Sequence, residues 1–141
     1  MSMLRFENQD DFVEICLVRQ ENDDLPSRSD AYLTIRAVAT GFTGHNSLWV
    51  LAPVLKSFCQ SLFALEQHRR GTAVLESISP NELRLVVRSI DSCGHMIVEG
   101  TTGFWVQREH SRLWHSVSFG FDFDPSQLVR AVKVDWVRKN A

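Results

Sequence analysis

Ser116-Val117-Ser118-Phe119-Gly120 comes within one glycine of the Gly-x-Ser-x-Gly elbow of serine hydrolases. That elbow works because a tight strand-to-helix turn lifts the serine above the sheet. Ser118 instead lies inside a regular run of alternating apolar and polar residues, which reads as the solvated side of a strand. Five histidines stand at positions 45, 68, 95, 110 and 115, and the nearest approaches to a metal motif are Cys93-Gly94-His95 and His110 with His115. Neither has the short fixed spacings of His-Glu-x-x-His or paired Cys-x-x-Cys sites. His115 is in phase with Val117 and Phe119, which predicts a hydrogen-bonded histidine of the core. Asp122 and Asp124 flank Phe123 and share one strand face, as a general acid and base would, but a solvated strand end followed by a helix cap explains both. No catalytic residue, metal site or cofactor site is assigned.

Phosphate and nucleic-acid signatures are also missing. No glycine cluster follows a strand and opens a helix. Gly41-Phe42-Thr43-Gly44 resembles the backbone clamp of KH modules, but that loop joins two helices and this one joins two strands. Fifteen basic and 17 acidic side chains leave a net charge of −2, which supplies no field for a polyanion or an anionic membrane. The acids gather near the start, where Glu7, Asp10, Asp11, Glu14, Glu21, Asp23, Asp24 and Asp30 face Arg5, Arg19 and Arg28.

These side chains hang on a chain of 141 residues, long enough to bury roughly 68% of its unfolded surface in one domain spanning 1–141. Three cysteines, at 16, 59 and 93, make a disulfide framework improbable and favour a reducing compartment. The first residues show no export signal, and the longest apolar run, Leu48 to Leu55, falls far short of the ~20 residues of a membrane span. A cytoplasmic location follows as the expectation.

Alternation predicts strands over Phe12–Arg19, Tyr32–Ala39, Ser47–Leu51, Thr72–Ile78, Leu83–Arg88, His95–Gln107 and Leu113–Phe123. Gly41 to Asn46 reads as the turn of a hairpin. Pro53 opens a helix whose stripe is Leu55, Phe58, Leu62 and Leu65, and Gly71 is its predicted stop. Asp124, Pro125 and Gln127 read as the cap, first turn and capping-box partner of a second helix carrying Leu128, Ala131, Val132 and Trp136. The expected fold is α+β: an antiparallel sheet of about six or seven strands with two helices on one face, in the order β-β-β-α-β-β-β-β-α.

Of the four tryptophans, Trp136 is in phase with its helix, whereas Trp114 is out of phase with the apolar set of its strand. One of Phe104 and Trp105 must also face outward, because they are neighbours on a strand. Exposed aromatic residues beside a charged rim suit a binding surface, and a second layer of packing explains them equally well.

The stretch from Gly41-Phe42-Thr43-Gly44 through Trp49-Val50, the helix with Leu55, Phe58 and Leu62, Gly71 to Leu75, Glu82 to Leu85 and Gly94-His95 resembles a group of small bacterial domains. That group includes the immunity proteins of the cell-wall-associated toxin WapI, and the resemblance covers residues 30 to 138. It implies a non-enzymatic cytoplasmic protein that binds and neutralises a cognate toxin domain. Immunity proteins against nucleases are often strongly acidic, so a charge of −2 speaks against a nuclease partner. Glu21, Asp23, Asp24 and Trp114 are the candidate partner-binding residues. Two alternatives stand beside this reading: a small-molecule-binding or weakly enzymatic domain in which His95, His115, Asp122 and Asp124 converge on a cleft, and a homodimeric scaffold.

Overall fold

The computed structural model describes residues 2–20 and 29–141. Four strands come first, β1 (Met3–Asn8), β2 (Asp11–Gln20), β3 (Ala31–Ala39) and β4 (Phe42–Val50), followed by helix α1 (Ala52–His68). Four more follow, β5 (Thr72–Glu76), β6 (Leu83–Ser89), β7 (Met96–Gln107) and β8 (Arg112–Phe123), and the chain closes with the short helices α2 (Gln127–Ala131) and α3 (Asp135–Asn140). The strands make two antiparallel sheets, β1-β2-β3-β4 and β5-β6-β7-β8. The α+β class and the antiparallel pairing agree with the sequence; the single sheet of six or seven strands does not, and the expected second helix is two, α2 and α3, so the order is β-β-β-β-α-β-β-β-β-α-α. A helix of α1's length is about 25 Å long. It carries the chain away from β4, so β5 starts a new sheet instead of extending the first.

Strand β1 was not legible because only Leu4 and Phe6 mark its buried face. The β3–β4 hairpin also turns earlier than predicted. Ala39 pairs with Phe42, so Thr40 and Gly41 alone make the turn, with Gly41 at a φ of 87°. Gly44 is strand, not loop, and its place reflects a close approach of the two sheets. A Cβ there would sit 3.2 Å from Thr102 Cγ2 and 3.3 Å from Val117 Cβ.

The inner faces of the sheets meet in one apolar cluster that also takes in the helices. Phe6 of β1 packs on Phe123 of β8 with ring centroids 4.6 Å apart. The predicted stripe of α1, Leu55, Phe58, Leu62 and Leu65, is fully buried, and Cys59 is buried with it. Burial pushes the Cys59 thiol up to about 12, which leaves it an unreactive core group. The helix ends on Arg69, which adopts the left-handed conformation with a φ of 58°, ahead of the predicted stop at Gly71.

Gln127 does not close a capping box. Its Nε2 donates to Glu7 O at 2.8 Å and its Oε1 accepts from Glu7 N at 2.9 Å, so its amide satisfies both backbone groups of Glu7 on β1. Asp124 Oδ1 accepts from Ser126 N at 2.8 Å, and this bond holds the Asp124 carboxyl below its usual range.

Asn46 is the polar staple between the sheets. Its Nδ2 faces Gly103 O at 2.8 Å, Thr102 Oγ1 at 3.1 Å and Glu82 O at 3.2 Å, while its Oδ1 accepts from Ser47 N at 2.9 Å. A buried group that loses its partner retains its desolvation cost. Asn46→Ala is therefore expected to destabilise the fold by about 2 kcal/mol, seen as a lower urea midpoint at unchanged slope. A loss under about 0.5 kcal/mol would show that water replaces the staple.

Candidate interaction surface

Strand β6 pairs with β7 only from Met96 to Thr102. Gly103 N still donates to Glu82 O at 3.2 Å; beyond it β7 continues to Gln107 with β8 as its only strand partner among the described residues, pairing Phe104–Gln107 against Arg112–His115. The result is a two-stranded arm about 13 Å long that runs past the body of the sheet. A lone hairpin is marginal in water. Here the side chains of the arm supply their own support. Trp105 and Trp114 face each other edge-on at 5.2 Å, and the Arg112 guanidinium lies 4.3 Å over the Trp105 ring. The Trp114 indole rests on Gly103, where a Cβ would come within 2.5 Å of Cζ2. Phe104 and His115 pair on the opposite face at 6.3 Å.

Large apolar groups are nevertheless left in water on both faces of this arm: Phe104 is 41% exposed, Trp105 51% and Leu113 50%. Rigid aromatic side chains at a protruding position, next to a cationic guanidinium, are the residue types that dominate protein interfaces. At the base of the arm lies an open cleft of about 220 Å³, lined by Thr43 and His45 of β4 and by Phe104, His115 and Ser116. Sites for small substrates usually run from ~300 Å³ upward and are well enclosed. This cleft has room for one side chain of a partner.

Trp114 sits on the arm, on the outer face with Ser116 and Ser118, as its phase predicted. Glu21, Asp23 and Asp24 lie outside the described residues. His115 is exposed, which corrects its assignment to the core: its phase is the buried one, but it faces the open cleft between β4 and the arm and pairs with Phe104 there. His95 and Asp91 form an exposed pair in the turn before β7, and hydrogen bonding to Asp91 raises the His95 pKa while lowering that of Asp91. His115 is seven residues along β8 from Asp122, roughly 23 Å away. The four residues of the small-molecule alternative therefore do not converge. Among the described residues no three His, Cys, Asp or Glu side chains are grouped to hold a metal ion.

The model of the Immunity protein WapI-like family matches residues 3–134, which takes in both sheets, the arm and α2. The chain belongs to this family. No curated protein and no solved structure matches it. The match takes in both sheets, α1 and α2 and ends just before α3.

A second aromatic surface of this family member was missed in the sequence, where most aromatics read as core. On the outer face of the first sheet, Phe12 lies between the guanidinium groups of Arg5 and Arg36, at 4.3 and 5.3 Å, and Tyr32 packs on Trp49 at 5.0 Å. Arg5 is already paired with Glu7 at 2.8 Å and Glu14 at 2.9 Å, so little unspent charge remains there. No helix among the described residues is long and apolar enough to cross a membrane.

Proposed function

We propose that this chain is a bacterial immunity protein that works in the cytoplasm by binding a cognate toxin domain, without catalysis, and that the β7–β8 arm is the principal contact. The observation that carries the reading is the pairing of family membership with an arm whose exposed aromatics have no role in the core. The cleft under the arm would receive a side chain of the toxin, and Trp114 would brace the arm from its outer face. The acidic segment with Glu21, Asp23 and Asp24 would add a polar rim, where charges govern the rate of encounter more than the final affinity. Nucleic acid and membrane are not proposed as partners.

The test is co-expression of the chain with the toxin domain encoded beside its gene. Growth should be restored, the two chains should co-elute, and protection should saturate at one immunity chain per toxin. Toxin separated from the complex under denaturing conditions and refolded should regain activity, as it would after occlusion and not after chemical modification. Continued killing in the presence of folded, abundant chain would remove the proposal.

A further inference from the structure

The sheet edges are managed unequally. Gln127 bonds both backbone groups of Glu7 on β1, Ile78 N donates to Trp49 O at the end of β4 at 2.8 Å, and α1 packs on β5. Among the described residues, the outer edge of β8 receives one bond, from Asn8 Nδ2 to Asp122 O at 2.9 Å. That bond also reveals the phase. Asp122 turns its carbonyl away from β7, so Arg112, Trp114, Ser116, Ser118 and Gly120 present their backbone groups outward as well. Between Arg112 and Asp122 the strand contains no Lys, Arg, Asp, Glu or Pro, the residues that usually blunt such an edge.

This edge is complementary to itself. Residues equidistant from Val117 match: Arg112 with Asp122, Trp114 with Gly120, and Ser116 with Ser118, all on the outer face. We infer that β8 pairs with β8 of a second copy of this chain, antiparallel and centred on Val117, joining two four-stranded sheets into one. Each copy places Arg112 opposite Asp122 of the other, so the charge pair occurs twice. Gly120 leaves open space beside the Trp114 indole of the second copy, an arrangement in which an aromatic side chain covers a strand glycine. A slip by two residues one way sets Arg112 opposite Gly120 and loses both charge pairs; a slip by two the other way sets it opposite Asp124, which lies past the end of β8 and already accepts from Ser126 N. Within one copy Arg112 stacks on Trp105, and Asp122 Oδ1 accepts from Asn8 Nδ2 at 3.0 Å, which leaves Oδ2 for the incoming guanidinium. The inference does not depend on the toxin reading.

Sedimentation velocity and light scattering of the whole chain over roughly 5 to 500 µM, the range of a small interface, should show a monomer–dimer equilibrium. Arg112→Asp and Asp122→Arg should each weaken it about tenfold, because an attraction becomes a repulsion at two symmetric places. The double exchange should restore it to within about threefold of the parent. Ser118→Lys, whose side chain points into solvent, should weaken it without touching the core, and far-UV circular dichroism checks that each variant folds. If Asp122→Arg unfolds through loss of the Asn8 bond, Arg112→Asp and Ser118→Lys still decide. A monomer at every concentration, including one whose edge accepts a strand only from another protein, overturns the inference. So does a dimer indifferent to Arg112→Asp and Ser118→Lys, or a folded double exchange no better than its weaker single.

Discussion

The double substitution Phe104→Ser, Trp105→Ser is expected to weaken toxin binding by about a hundredfold while leaving the fold in place. Each ring is a rigid apolar group already held in position, Trp105 by Trp114 and Arg112 and Phe104 by His115, so little conformational entropy is lost on docking. Truncating such an anchor at an interface costs about 2 kcal/mol or more, roughly thirtyfold. The two sites are adjacent and share one arm, so their effects should fall short of additive. Global stability should change by less than about 1 kcal/mol, since neither side chain belongs to the buried cluster, while the arm loses the ring contacts that support it and should show faster amide exchange. Isothermal titration against the toxin domain, with a urea melt of the free variant, separates the two effects. Binding within about threefold of the parent would move the contact off the arm, and neutralising Glu21, Asp23 and Asp24 or truncating Phe12 would then be the next comparison.

Phe6→Ala should have the largest effect on folding, a loss of about 4 kcal/mol out of a total that for domains of this size is about 5–15 kcal/mol. The ring is fully buried where β1 packs on β8, so its loss both opens a cavity and loosens one sheet from the other. Phe12→Ala is the control. Its ring lies on the outer face between two arginines, and its loss should cost about 1 kcal/mol or less. We propose that the two sheets fold as one unit. Tryptophan fluorescence and far-UV circular dichroism should then trace coincident urea transitions for the parent and for Phe6→Ala, with the midpoint of the variant far lower. Two separate transitions would show that each sheet is stable alone.

Both predictions rest on a distinction between burial and context that also separates what could be read along the chain from what could not. Alternation in β3, β6 and β8 and the stripe of α1 named the buried faces correctly, because strand and helix geometry alone decides which side chains share a side. The antiparallel pairing followed from short turns, and the resemblance on glycines and apolar positions led to the right family. The division into two sheets was hidden, since an apolar face announces that it avoids water without naming the face that covers it. The arm was half legible. Trp114 stood out of phase and one of Phe104 and Trp105 had to face outward, but the surplus length of β7 and β8 over β6 appears only when the strands are registered. His115 shows the same limit from the other side: its period says inside, yet periodicity persists where the space between β4 and the arm stays open. Local geometry along a chain is written by neighbouring residues, whereas coverage depends on where distant segments end, and that only the packed molecule determines.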